Sequence, residues 1–132
     1  MTRVMGEFNV MHWDEKPYDA AAGQAQLKHA AVTHELTGDI EGEASITYLL
    51  AYDSNPGTGA SYVGIARITG RIGERHGTFV ARDVGTFANG IAESCWTILP
   101  GLGTGSLCGL HGEGHFTATD AGASYSFNYE FD

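Results

Sequence analysis

Residues whose types and spacing could bind a metal ion stand together at His111, Glu113 and His115. Alternate positions of an extended strand point to one face, so these three side chains would lie on the same side. At about 3.3 Å per residue the two histidines are about 13 Å apart, too far to share one ion easily. The residues expected on the neighbouring strand are glycine and alanine, which cannot supply a further ligand. We therefore predict no metal and no cofactor, and interpret this face as polar and hydrated.

Arg82 and Glu93 are the sharper candidates for catalysis if both face the interior of the fold. Apolar surroundings raise the pKa of a carboxyl group by desolvation, which suits general acid–base catalysis near neutral pH. An arginine nearby would orient an anionic or carbonyl-bearing ligand. The alternative is that both side chains are solvated and have no such role. We predict Glu93 as the acid or base and Arg82 as the orienting cation.

Tyrosines are the predicted walls of a ligand site, because each combines an apolar ring with a hydroxyl group. We assign this role to Tyr48, Tyr125 and Tyr129, together with Cys95. The same tyrosines would serve as core residues without any further function. The segment from Trp13 to Tyr18 either covers the site as a lid or simply leads from a strand into a loop.

The charge balance excludes several classes of function. Seven Lys and Arg residues against 16 Asp and Glu residues give a net charge of −9, which disfavours nucleic acids and anionic membrane surfaces. No apolar stretch approaches the ~20 residues of a membrane-spanning helix, and the first residues lack the apolar region of a signal peptide. We therefore predict a cytoplasmic protein with no nucleic-acid or membrane partner. In that compartment Cys95 and Cys108 are expected to be buried thiols.

The elements that must position these residues are predicted to be short strands. The chain contains 19 glycines, an excess that argues against helices, since an interior helical glycine costs ~1 kcal/mol relative to alanine. Turn signals such as Asn55-Pro56-Gly57 and Asn89-Gly90 separate runs rich in β-branched and aromatic residues. Residues 19–31 are predicted as a loop with at most one helical turn. Eight strands are predicted, at residues 3–13, 28–38, 41–52, 60–72, 77–87, 91–99, 105–118 and 123–131.

Consecutive strands with short connections predict an antiparallel meander, and eight of them suggest closure into an all-β barrel. One domain of this kind would span residues 1–132. A barrel of this size either fills its interior with side chains or holds one small ligand. The last strand has the clearest inward face, because aromatic and polar residues alternate along it. Its inward residues are predicted to be Tyr125, Phe127, Tyr129 and Phe131.

For the other late strands, we predict which side chains point inwards by working out the register of one hairpin after another from the last strand backwards. A turn at Ala121-Gly122 pairs Phe127 with Phe116 and sets aromatic rings over glycines. A short loop around residues 101–102 then pairs Cys95 with Cys108. The Asn89-Gly90 turn carries this register back to the strand before it.

This chain of pairings directs Arg82, Glu93 and Cys95 into the lumen. A slip of one residue between Pro100 and Gly105 would reverse that outcome, because it exchanges the two faces of a strand. On the predicted register an apolar set is left outside, which suggests a homo-oligomer. That set is Phe79, Phe87, Trp96, Ile98 and Leu107.

Several motifs together resemble a bacterial family of unknown function with an allene-oxide-cyclase-like (calycin-like) barrel. They are Trp13-Asp14-Glu15-Lys16-Pro17-Tyr18, Gly38-Asp39-x-x-Gly42, Tyr48-Leu49-x-x-Tyr52, Gly85-Thr86-Phe87 and the glycine-rich block from Pro100 to Gly114. The resemblance covers nearly the whole chain and implies an eight-stranded antiparallel barrel. Barrels of this type include plant and bacterial cyclases that bind apolar substrates in the lumen, but their catalytic residues have no match in this sequence.

These features predict a barrel that binds a small apolar or aromatic molecule in its lumen. One hypothesis is a cofactor-independent enzyme, an isomerase or cyclase that moves a proton through a lumenal carboxylate. A second is a non-catalytic carrier or sensor with the same lumen. A third is a structural oligomeric barrel whose lumen is filled by side chains.

Overall fold

The structure, a computed structural model, describes residues 1–19, 21–53 and 59–132. Eight antiparallel strands follow one another around a closed barrel, and the last pairs with the first. The predicted all-β, eight-stranded barrel is therefore confirmed. No helix in these ranges is long and apolar enough to cross a membrane. The elements are β1 (Thr2–Asp19), β2 (Gln26–Gly38), β3 (Ile40–Tyr52), β4 (Ala60–Ile72), β5 (Arg75–Ala88), β6 (Ile91–Ile98), the 3-10 helix Gly105–Leu107, β7 (Leu110–Thr119) and β8 (Gly122–Phe131).

The first hairpin is longer than the sequence indicates. Much of the segment 19–31 is strand, because β1 continues to Asp19 and β2 begins at Gln26. Ala30 and Val32 are buried at alternate positions of β2, so this alanine-rich segment follows the two-residue period of a strand. The turn contains Gly23, whose φ of +77° favours glycine. The predicted turn Asn55-Pro56-Gly57 lies outside the described residues.

In two of the predicted hairpins, the two strands keep their predicted faces relative to each other. The β5–β6 register is confirmed, with Arg82 opposite Thr97 across the Asn89-Gly90 turn. The β7–β8 hairpin keeps its predicted faces, but Phe127 pairs with Gly114 instead of Phe116. A side chain at Gly114 would overlap Phe127, so an aromatic residue against a glycine does fix this register.

The connection from β6 to β7 differs from the prediction and changes which residues face the lumen. Cys95 pairs with His115 instead of Cys108, because residues 99–109 form a long connection that contains the 3-10 helix. The displacement is an odd number of residues, so it exchanges the predicted faces of β5 and β6. Arg82, Glu93 and Cys95 are exposed on the outside, and their predicted lumenal positions are wrong. Both cysteines are free and exposed, which also corrects their predicted burial.

The apolar set predicted on the outside faces the interior. Phe87 lies at one end of the barrel, and the other four are buried. The large apolar side chains that do face solvent include Leu49, Val63 and Val84 on three adjacent strands. The homo-oligomer stays a prediction, but the apolar set that suggested it does not lie on the outer surface. The four buried members are Phe79, Trp96, Ile98 and Leu107.

The barrel is closed by side chains at the end where β6 leads into β7. The 3-10 helix packs against β5 there, and Leu107 is fully buried. The Thr104 backbone N–H donates to the Thr78 carbonyl over 2.9 Å, and the Thr78 N–H donates to the Thr104 hydroxyl over 3.1 Å. A side chain at Gly77 would overlap the Thr104 carbonyl. This connection therefore forms a plug, and the opposite end of the barrel carries the candidate site.

Candidate functional site

A cavity opens at the end of the barrel where β1 leads into β2 and β5 into β6. Its volume is about 290 Å³, near the lower end of the range for small-molecule pockets, about 300–1,000 Å³. Most of its surface is apolar. The residues that line it are Phe8, Val10, Trp13, His34, Tyr48, Leu50, Tyr52, Ala60, Tyr62, Phe87, Ala92, Phe116 and Ala118.

The cavity exists because small residues occupy the inward positions at this end. Ala60, Ala92 and Ala118 lie at or near the open ends of β4, β6 and β7. The inward residues at the other ends of these strands are larger and fill the barrel. Alanines in place of branched side chains therefore leave space among the surrounding aromatic rings. The larger residues are Ile72, Ile98 and Leu110.

A buried carboxyl group is hydrogen-bonded to one of the lining tyrosines. Asp83 is 0% exposed, and the Tyr48 hydroxyl donates to its Oδ2 over 2.5 Å. Burial raises the pKa of Asp83 and outweighs the lowering by Tyr48, Ser94 and Trp96. Asp83 Oδ1 and Trp96 Nε1 have no hydrogen-bond partner among the described residues. The environment therefore favours the uncharged form of Asp83.

Tyr62 also directs its hydroxyl group to a residue outside the lining. It shares a short hydrogen bond with the Ser94 hydroxyl, and its ring meets the Tyr48 ring edge to face at 5.1 Å between centroids. Burial raises the pKa of Tyr62 to about 12. Tyr48 and Tyr62 therefore contribute mainly ring surface to the cavity, because their hydroxyl groups are already paired.

His34 is a lining residue that sequence reasoning missed. It is 3% exposed, and its ring stacks on Phe8 with 4.5 Å between centroids. Burial lowers the pKa of His34 to about 4, so the imidazole is neutral at pH 7. It forms no side-chain hydrogen bond within the described part of the chain. Its alternation with the buried residues Val32 and Leu36 is the sequence signal that would have placed it inside.

Polar side chains of β1, β2 and β3 lie on one side of the mouth of the cavity. Glu15 accepts hydrogen bonds from the Trp13 indole over 2.8 Å and from the Tyr52 hydroxyl over 2.5 Å. The Lys28 ammonium lies 3.7 Å from Glu15 and 4.9 Å from the Tyr52 ring centroid. Trp13 also stacks on Tyr48 at 6.1 Å between centroids. The segment from Trp13 to Tyr18 belongs to β1, and Trp13 covers part of the cavity from there.

The predicted site residues are not brought together. Tyr48 lines the cavity, as predicted. Arg82 and Glu93 are exposed on the outer face of adjacent strands, as is Cys95. These three side chains cannot flank a ligand in the lumen, because the β6–β7 connection reverses their predicted facing.

Tyr125 and Tyr129 face the interior but do not line the cavity. The Tyr125 hydroxyl accepts a hydrogen bond from the Ile40 backbone N–H over 2.9 Å and donates to the Thr37 carbonyl over 2.8 Å. It therefore holds the β2–β3 turn. The half-buried Tyr129 packs edge to face on Phe131 at 5.6 Å between centroids. Both residues have a structural explanation that needs no ligand.

His111, Glu113 and His115 face outwards on β7, on the one strand face that the sequence predicts. His111 Nε2 lies 3.1 Å from an Asp132 carboxylate oxygen. In the ranges that the structure describes, no three His, Cys, Asp or Glu side chains converge in a way that could hold a metal ion.

Comparison with known proteins places the chain in a family. Residues 4–129 match the family model described as "Protein of unknown function (DUF3224)". A crystal structure of a DUF3224 protein with unknown function from Shewanella oneidensis MR-1 is similar to this chain, with a TM-score of 0.81 and 26% sequence identity. The match covers 100% of this chain and 98% of that chain. No curated protein sequence matches significantly. The chain therefore belongs to the DUF3224 family of proteins of unknown function.

Proposed function

We propose that the protein binds a small, uncharged and mainly apolar molecule in the cavity at the open end of the barrel. The observation that supports this best is an apolar space of about 290 Å³, kept open by alanines in a barrel that is otherwise packed. Unfilled apolar space forfeits dispersion contacts, and a bound ligand regains them. Aromatic rings supply much of the wall, so a flat ring fits its shape and chemistry.

The charges around the cavity favour an uncharged ligand. His34 is neutral at pH 7, because its pKa is lowered to about 4. The nearest buried acid, Asp83, has a raised pKa. At pH 7 the imidazole therefore offers no positive charge to an anionic ligand. The net charge of −9 further disfavours anions.

Ethylbenzene is a suitable first probe, followed by NMR titration of the amide resonances of the isotope-labelled protein. We expect saturable shifts concentrated at residues that line the open end. Ala92→Phe fills the cavity and should weaken binding at least tenfold. Ala51→Phe is the matched control, because Ala51 is exposed on the outside of the same end. Shifts that do not saturate, or equal affinities of the two variants, would contradict the proposal.

A second candidate function is cofactor-independent proton transfer, favoured by the contact between Tyr48 and Asp83. A carboxyl group with a raised pKa is suited to exchange protons near neutral pH. The Tyr48 oxygen would take a proton from a ligand carbon while the Tyr48 hydroxyl proton passes to ionised Asp83, and a deuteron from heavy water returning along the same path would complete the exchange. NMR can follow hydrogen–deuterium exchange of the carbon-bound protons of 2-indanone in heavy water. We expect exchange to slow at least tenfold in Asp83→Asn; an unchanged rate would leave the carrier or sensor hypothesis.

A further inference from the structure

We propose that the ligand carries a hydroxyl group on a neutral ring, and that His34 forms a hydrogen bond with that hydroxyl inside the cavity. This inference rests on the proposed binding function and narrows it to phenol-like or other ring alcohols. It follows from the hydrogen-bond partners of the side chains that line the cavity.

Most polar groups of the lining already have partners within the described residues. The Tyr48 hydroxyl bonds to Asp83, and the Tyr62 hydroxyl to Ser94. The Tyr52 hydroxyl and the Trp13 indole N–H both bond to Glu15. His34 differs from all four, because no hydrogen bond in the described part of the chain involves its ring.

The imidazole of His34 keeps access to the cavity. The side chain is more than nine-tenths buried, and it belongs to the lining. The fully enclosed and unpartnered side-chain atoms found among the described residues are Asp83 Oδ1 and Trp96 Nε1, and neither belongs to His34. Because the side chain belongs to the lining of the cavity, we infer that a ligand there can reach its ring. A buried polar group without a partner destabilises a protein, so an apolar residue would suit this position better if it were only core.

A hydroxyl group is the partner that best matches a neutral imidazole. One ring nitrogen donates a hydrogen bond and the other accepts one, and a hydroxyl can pair with either. An anion would be bound most strongly by the protonated ring, which burial opposes by lowering the pKa of His34 to about 4. Phe8 stacks on the imidazole, and Phe116 meets it edge to face. A ligand ring that bears the hydroxyl would extend this aromatic cluster.

The test compares 4-ethylphenol with ethylbenzene, which differ only by the hydroxyl group. We expect wild-type protein at pH 7 to bind 4-ethylphenol at least threefold more tightly. In His34→Leu, the dissociation constant of ethylbenzene divided by that of 4-ethylphenol should fall at least tenfold, because the hydroxyl of the phenol is then left unpaired. His34→Gln should restore part of the preference. Leu50→Ala is the matched control, because Leu50 lines the cavity and pairs with Lys28 instead of standing beside His34; it should weaken both ligands alike and leave their ratio unchanged.

A measurement without substitution decides the question if a variant does not fold. In wild-type protein, the ¹⁵N resonances of His34 should shift on addition of 4-ethylphenol far more than on addition of ethylbenzene. Equal affinities in wild type, or an unchanged ratio in His34→Leu, would overturn the role of His34 while the proposed function stands. Failure of both ligands to bind would overturn the proposed function itself.

Discussion

The two ends of the barrel are formed by the same eight strands but are packed differently. At the closed end, branched side chains and the 3-10 helix fill the lumen, and Leu107 completes the plug. At the open end, Ala60, Ala92 and Ala118 leave a cavity. The backbone pairing is continuous along these strands. A change in side-chain volume at a few inward positions is therefore enough to turn a packed core into a cavity.

Polar groups are also distributed unequally between the two ends. The described ranges contain three buried polar or charged residues, His34, Asp83 and Ser94. His34 lines the cavity, and the other two bond to lining tyrosines or lie beside them. The side chains that fill the closed end are mainly apolar, and the Tyr125 hydroxyl there is hydrogen-bonded to backbone groups. Unfavourable burial of polar groups is typical of functional sites, and here it is confined to the surroundings of the cavity.

The largest expected effect compares two phenylalanines on β5. Phe79 lies at the closed end and is 1% exposed, whereas Phe87 lies at the open end and is 45% exposed. Phe79→Ala should lower the free energy of unfolding by about 3–5 kcal/mol, since it leaves a cavity in a packed core. Phe87→Ala should cost less than about 1 kcal/mol. Urea denaturation measures both values, and Phe79→Leu serves if Phe79→Ala does not fold. Equal losses would show that the two ends are packed alike.

A smaller effect is expected from the pH dependence of stability. The folded-state pKa of His34 is about 4, below its ordinary value of 6.5, so the folded state disfavours the charged ring. Its stabilising contribution is complete above pH 6.5 and is lost as the pH falls towards 4, by about 3 kcal/mol. His34→Leu should remove this acid-side loss in urea denaturation measured between pH 7 and pH 4. His76→Gln, at an exposed position of the closed end, should retain it.

The contribution of Asp83 to stability changes with pH in the opposite direction from that of His34, so it provides an internal check on the same pH profile. Its pKa is raised, so its stabilising contribution is complete below the ordinary carboxyl pKa and is lost as the pH rises through the folded value. Asp83→Asn should therefore gain stability relative to wild type towards higher pH. A parallel pair of curves would contradict the raised pKa. Neither substitution should alter the plug at the closed end.

The sequence predicts local features of this fold better than the facing of distant strands. Asn89-Gly90 determines the β5–β6 register by itself, because a two-residue turn with two positive φ angles leaves no freedom. The β6–β7 connection has no such signal. The short loop predicted around residues 101–102 suggests a tight hairpin, but the 3-10 helix at Gly105–Leu107 lengthens the connection. Because the predicted β6–β7 register is wrong by an odd number of residues, the predicted inward faces of β5 and β6 are wrong as well.

The alternation of large apolar residues along β6 predicts which face of the strand points inwards better than the register obtained by joining one hairpin to the next. Trp96 and Ile98 alternate with Cys95 and Thr97, and burial of the larger residues determines which face is inside. The candidate site was harder to predict. The hydrogen bond between Glu15 and Tyr52 joins residues far apart in the chain, and nothing in the local sequence of either residue indicates it.

The smallest expected effect concerns the mouth of the cavity and identifies the end through which a ligand passes. Glu15→Ala removes the acceptor of both the Trp13 indole and the Tyr52 hydroxyl. Partly exposed contacts of this kind contribute at most about 1 kcal/mol, so ethylbenzene should dissociate about two- to fivefold faster, as measured by NMR line shapes. Asp14→Ala removes a neighbouring exposed carboxylate, and Thr104→Val weakens the plug; both should leave the rate unchanged. If Thr104→Val accelerated dissociation instead, the plugged end would be the exit, and the contrast between the two ends would not govern ligand access.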